Sequence, residues 1–172
     1  MRAIGKGSLS SILAAGLHVT RIFLWIGFIG LSIAMVFIPF LSGVIGLAET
    51  VSGGSIDADL DVEPGDYIEV AYHFVTVAVM LFVVNRLLEI LKTLRFGSPF
   101  VKENADRFRG VGYALLIGEG AKIAFGFLSL INDAETGINS SIITWLSIIA
   151  VFVLAEVFRE GARMKEEQDL TV

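Results

Sequence analysis

The chain has 172 residues, 55% hydrophobic and only 18% charged, with a mean hydropathy of +0.76 and a formal net charge of −5. A soluble domain carries about 25% charged residues, so the composition argues against a water-soluble globule. Cysteine is absent, which removes a disulfide framework, thiol chemistry and an iron–sulfur cluster.

A bilayer core needs roughly 20 apolar residues per helix. Four stretches meet that length, at about 21–45, 68–91, 111–131 and 141–158. They predict one all-α membrane domain over residues 1–172, an integral membrane four-helix bundle. The first run is too long for the apolar region of a cleaved signal and reads as a retained helix. Pro39 predicts a kink in it, and Gly27, Gly30, Gly43 and Gly46 are candidate close-packing positions.

The segment after it, "ETVSGGSIDADLDVEPGDY", is acidic. The alternation in "SIDADLDVEPGDYIEV" predicts a short strand or hairpin with Asp57, Asp59 and Asp61 on one face. A solvated acidic loop is the reading preferred over weak divalent-cation binding, because the glycine of a calcium loop is missing from its place. Tyr67, Tyr72 and His73 then fit an interfacial aromatic belt at the start of the second helix. His18 and His73 stand near opposite ends of their helices, too far apart to share a haem or metal. No metal or cofactor is expected.

Between the second and third runs lies "RFGSPFVKENADRFRGVGYALL", residues 95–116. Gly97 is placed to end a helix, Ser98 to cap the next and Pro99 to fill its first position. Phe100 then opens a short amphipathic elbow helix. In that reading Phe100 and Phe108 dip into the interface, while Lys102, Arg107 and Arg109 meet anionic headgroups. Gly110, Ala114 and Gly118 recur every four residues on helix three and predict a close helix contact. Helix four is expected to run on to about Glu167.

The basic residues are one-sided. Arg2, Lys6, Arg21, Lys92, Arg95, Lys102, Arg107, Arg109, Arg159, Arg163 and Lys165 all fall on one side of such a bundle, and the segments 48–66 and 132–140 contain neither Lys nor Arg. The positive-inside rule predicts both termini in the cytoplasm, N-in and C-in.

Ionisable residues within the spans are costly in lipid and mark bundle interiors. Arg86, Glu89, Glu119, Lys122 and Glu156 are the candidates. Counting helical rise from the outer boundary puts Arg86 about 26 Å, Glu156 about 22 Å and Glu119 about 18 Å down. Those depths predict one charged cluster in the inner half, with Arg86 paired to Glu119 or Glu156 and Glu119 also paired to Lys122. A structural network is the preferred reading over gating or a proton relay. A relay needs titratable groups reaching both surfaces, and the outer half offers only His73.

The elbow residues Gly97, Pro99, Phe100 and Asn104, with the tail residues Ala155, Glu156, Val157, Phe158 and Gly161 and the neighbouring Arg159, carry a resemblance. "GSPFVKENADRFRGVGYALL" and "LAEVFREGARMKEEQDLTV" resemble the family called domain of unknown function 2975, covering helix two to the C-terminus. The resemblance implies a four-span protein of the bacterial inner membrane and no established activity. Members of that family are often encoded beside a small helix-turn-helix regulator, which implies a cytoplasmic protein partner and no direct nucleic-acid binding by this chain. Elbow and tail would be a docking face or a structural latch. The expected function is therefore a non-enzymatic membrane interaction or regulatory protein, with the lipid bilayer as its other partner. The alternatives are an accessory subunit of a larger membrane complex and a small oligomeric transporter.

Overall fold

The computed structural model describes residues 9–52, 64–96, 99–131 and 140–170. Four helices make up the described chain, α1 (Leu9–Ser52), α2 (Pro64–Phe96), α3 (Lys102–Ser129) and α4 (Ile142–Asp169), and no strand occurs among the described residues. All four are long and apolar enough to cross a membrane. The acidic segment's expected strand is corrected where it can be seen, because Pro64–Val70 is the first part of α2. Proline has no N–H to lose at a first helical position, and Asp66 in the first turn suits the helix's positive end. The remainder, including Asp57, Asp59 and Asp61, lies outside the described residues.

The helices are longer than the apolar runs. α1 begins about three turns before residue 21 and continues through Pro39. Its 44 residues reach about 66 Å, roughly twice the ~30 Å of a hydrocarbon core.

Chain-neighbouring helices run antiparallel and pack in series. Close backbone approach occurs between α1 and α2, α2 and α3, and α3 and α4, and between no other pair. The result is an open up-and-down bundle with α1 and α4 on its flanks. The flanking helices show how this is done. α4 faces α3 with Thr144, Ile148, Val151, Ala155, Phe158, Ala162 and Lys165, spaced alternately by four and three. On α1 the half-buried positions Ala14, Leu17, Arg21, Leu24, Phe28 and Leu31 have the same spacing. This is the seven-residue seam of two helices packed side by side. Within the apolar runs, most other described positions of the flanking helices are apolar and outward-facing, as with Phe23 at 70% exposure and Ile142 at 78%. Apolar surface on that scale marks a membrane or partner contact.

Contacts along the seams fix the register. Phe28 lies on Phe74 (ring centroids 4.6 Å apart), Tyr72 meets Phe125 at 6.0 Å, and Tyr113 meets Phe152 edge-on at 5.3 Å. The small-residue ridge of α3 faces α2 as expected. A Cβ on Gly118 would stand 3.2 Å from Val79, and Gly110 lies under Phe82. Gly112 faces the other way, where a Cβ would come within 2.8 Å of the Phe152 ring. The close-packing reading fails for Gly27, Gly30 and Gly43, which have open space where a Cβ would stand.

Candidate functional site

The end of the molecule where α2 turns into α3 holds most of its specific polar contacts. α2 ends at Phe96 and α3 starts at Lys102, with Val101 in extended conformation at the N-cap and no side-chain cap. This corrects the expected helical Pro99 and the separate elbow helix. Pro99, at a bend, and Phe100 belong to a connector, and the rest of the elbow is the first turns of α3. Gly97 and Ser98, the expected helix stop and cap, lie outside the described residues.

Asn104, in the first turn of α3, is the hub of this end. Its side chain is fully buried. Nδ2 donates to the Pro99 carbonyl at 2.9 Å, which ties the connector down onto the helix. Oδ1 accepts from Arg107 Nη1 at 2.8 Å. The Thr93 hydroxyl, in the last turn of α2, shares its proton between Oδ1 at 2.8 Å and the Ile90 carbonyl at 2.7 Å. Arg107 continues the chain of contacts, with Nε 3.2 Å from a Glu89 carboxylate oxygen. Arg86 donates to that same oxygen at 2.9 Å, and its guanidinium lies 5.0 Å from the centre of the Phe82 ring. Connector, α2 and α3 are thus joined by one network, Arg86–Glu89–Arg107–Asn104–Thr93.

The tail closes on this end from α4. Phe158 stacks on Phe108 at 4.8 Å and on Phe100 at 5.5 Å. A Cβ on Gly161 would come within 2.5 Å of the Phe100 ring. Phe100 and Phe108 therefore grip α4 where an interfacial anchor was expected. Arg107 is turned inward to Glu89 and Asn104, so its expected headgroup contact is corrected too. Lys102 remains exposed, and Arg109 is half-exposed and in no ion pair among the described residues.

The single charged cluster does not form. Arg86 and Glu89 pair with each other, but Glu119 and Glu156 lie elsewhere. Buried Glu119 accepts from Ser140 Oγ at 2.5 Å, and Ser140 in turn accepts from Trp145 Nε1 at 2.9 Å. Glu119 thus shares a level with the first turn of α4, while α3 runs ten residues further. That stagger is why depth counted from the end of the apolar run misplaced it. Against α2, whose Val79 meets Gly118, Glu119 stands near residue 78, about 12 Å along the axis from Arg86. Lys122, half-buried, enters no ion pair among the described residues. Glu156 is at the right level but on the wrong helix. α4 does not approach α2, so Glu156 turns outward and pairs with Arg159 one turn along.

These contacts rank the two arginines. Arg86 holds an exposed pair, 40% and 44% accessible, of a kind contributing at most about 1 kcal/mol. Arg107 is less exposed, at 23%, and serves two acceptors on separate elements. Arg107→Met is expected to cost about 2 kcal/mol, against under about 1 kcal/mol for Arg86→Met. Thermal melts of both variants in mild detergent check the order, and equal losses would refute it.

Residues 57–172 match the family described as a protein of unknown function (DUF2975). The match covers more than half of the chain, which belongs to that family. No curated protein and no solved structure matches it.

Proposed function

We propose that the protein is a non-catalytic, four-span protein of the bacterial inner membrane. Both termini lie in the cytoplasm, and the elbow-and-tail end is offered to a cytoplasmic protein such as a small helix-turn-helix regulator. One observation carries this reading. Segments about 60 residues apart in sequence meet at one end, with Phe100 seated on Gly161 and Asn104 tying the connector beneath it. Nine Lys and Arg of the described residues, gathered towards that end, support a cytoplasmic placement. Within this reading Asn104, Arg107, Phe100, Phe158 and Gly161 form the latch that keeps the platform rigid. The docking contacts fall to outward neighbours, Lys102 and Arg109 first.

The test uses green fluorescent protein fused to the C-terminus, as both topology reporter and capture handle. Fluorescence is expected, together with recovery of a small DNA-binding protein. Lys102→Glu with Arg109→Glu should reduce that recovery roughly tenfold or more, on the scale of two interfacial charges reversed. A dark fusion would refute the orientation, and undiminished recovery would refute the docking face. Capture of other membrane subunits in its place would favour the accessory-subunit reading. That reading has its own support in the apolar groove between α2 and α3, lined by Phe74, Val79, Phe82, Tyr113 and Ile117.

A further inference from the structure

A cleft of about 460 Å³ lies on the opposite flank of α2, between it and the first turns of α1. α1 contributes His18 and Arg21, one turn apart. α2 contributes Asn85, Glu89, Lys92 and Arg95, spaced as one stripe of a helix. Three guanidinium or ammonium groups and one imidazole therefore face a single acid. That acid is already engaged, since Glu89 receives Arg86 and Arg107 from the other side of α2. Arg21 and Lys92 enter no ion pair among the described residues. The cleft is thus a concentration of positive charge with donors to spare, which calls for an anion.

Its surroundings select the kind of anion. The walls beneath the charged groups are apolar, from Ala14, Leu88 and Leu91. Next to them α1 presents Ile22, Phe23 and Ile26 outward, each more than half exposed. A headgroup phosphate seated among the cations would leave its acyl chains against that surface. The polar stripe occupies the last three turns of a membrane-length helix, which is the depth of a headgroup layer whichever way the chain is inserted. We propose that this α1–α2 cleft binds the phosphodiester headgroup of an anionic phospholipid. Basic pockets between membrane helices suit such headgroups on electrostatic grounds. The site is independent of the partner-docking reading and shares none of its exposed residues.

Native mass spectrometry of the full chain in mild detergent, titrated with phosphatidylglycerol or phosphatidylcholine, tests this. The wild-type chain is expected to retain phosphatidylglycerol preferentially. Arg21→Gln with Lys92→Gln should weaken that retention roughly thirtyfold, from roughly fivefold per basic residue at a membrane surface. Arg21→Lys with Lys92→Arg should restore it. Arg159→Gln with Arg163→Gln, which removes as much charge from α4, should leave it unchanged. Equal retention of the two lipids would overturn the proposal, as would a glutamine pair that binds like the wild type. Inorganic phosphate in large excess separates the two sources of the anion. Failure to displace the lipid supports the membrane source, and displacement with stabilisation of the chain by phosphate alone would overturn it.

Discussion

Asn104→Ala is expected to destabilise the protein by about 3 kcal/mol, the largest loss of any single polar substitution at this end of the molecule. Each of the three contacts to its amide contributes about 1 kcal/mol net, and burial makes the loss worse because the partners stay behind. The Pro99 carbonyl loses its donor, Arg107 loses one of two acceptors, and the Thr93 hydroxyl falls back on the Ile90 carbonyl. Asn104→Asp separates these effects. Both acceptor contacts survive and gain charge beside Arg107, while an oxygen replaces the donor facing the Pro99 carbonyl. The aspartate variant should therefore fall between the parent and the alanine variant. Thermal unfolding in mild detergent reads the series. An alanine variant that melts with the parent would show that the network does not hold the connector.

Hydropathy made the four long apolar helices legible because each apolar run approaches the length of a bilayer core. It could not show the helix ends. Residues 159–169 are helical but too polar to register as membrane sequence. Nor could it show the seams. On α1 and α4 the outward faces are as apolar as the packed ones, so the spacing of Ala14, Leu17 and Arg21, or of Ile148, Val151 and Ala155, has no polar background to stand against. Without the seams, the serial packing was out of reach, and Arg86 was assigned to acids on helices it does not meet. The local pairs were the readable alternative. Arg86 has Phe82 one turn before it and Glu89 one turn after, and Arg159 has Glu156, all at helical-neighbour spacing. The elbow and tail residues were individually visible, as was their place at one end. Their mutual contact was not, since nothing in either string states that Phe100 needs a position without a Cβ opposite it.

That contact supports the second large effect. Gly161→Val is expected to cost about 3 kcal/mol, the upper end for overpacking a fitted interface. The new Cβ would fall 2.5 Å from Phe100 Cδ1 and 2.9 Å from Cε1, and the branch adds a second collision. Phe100 is 43% exposed, so its ring has room to swing outward and lose its stacking on Phe158. The chain can therefore fold, with the connector released from α4. Two comparisons isolate the cause. Gly27→Ala on α1, where a Cβ meets nothing, should leave stability unchanged or raise it by up to about 1 kcal/mol through helix propensity. Phe100→Ala combined with Gly161→Val should cost less than the two single changes summed, with a coupling of about 0.5–3 kcal/mol. Additive losses would dissociate Phe100 from Gly161. The pattern across readouts then separates latch from dock. A latch residue such as Gly161 should lose stability and partner recovery together. Arg109, outside the network, should lose recovery alone when reversed to Glu. If Gly161→Val melts early yet recovers its partner in full, the partner binds elsewhere and the elbow and tail serve only to hold α4 against α3.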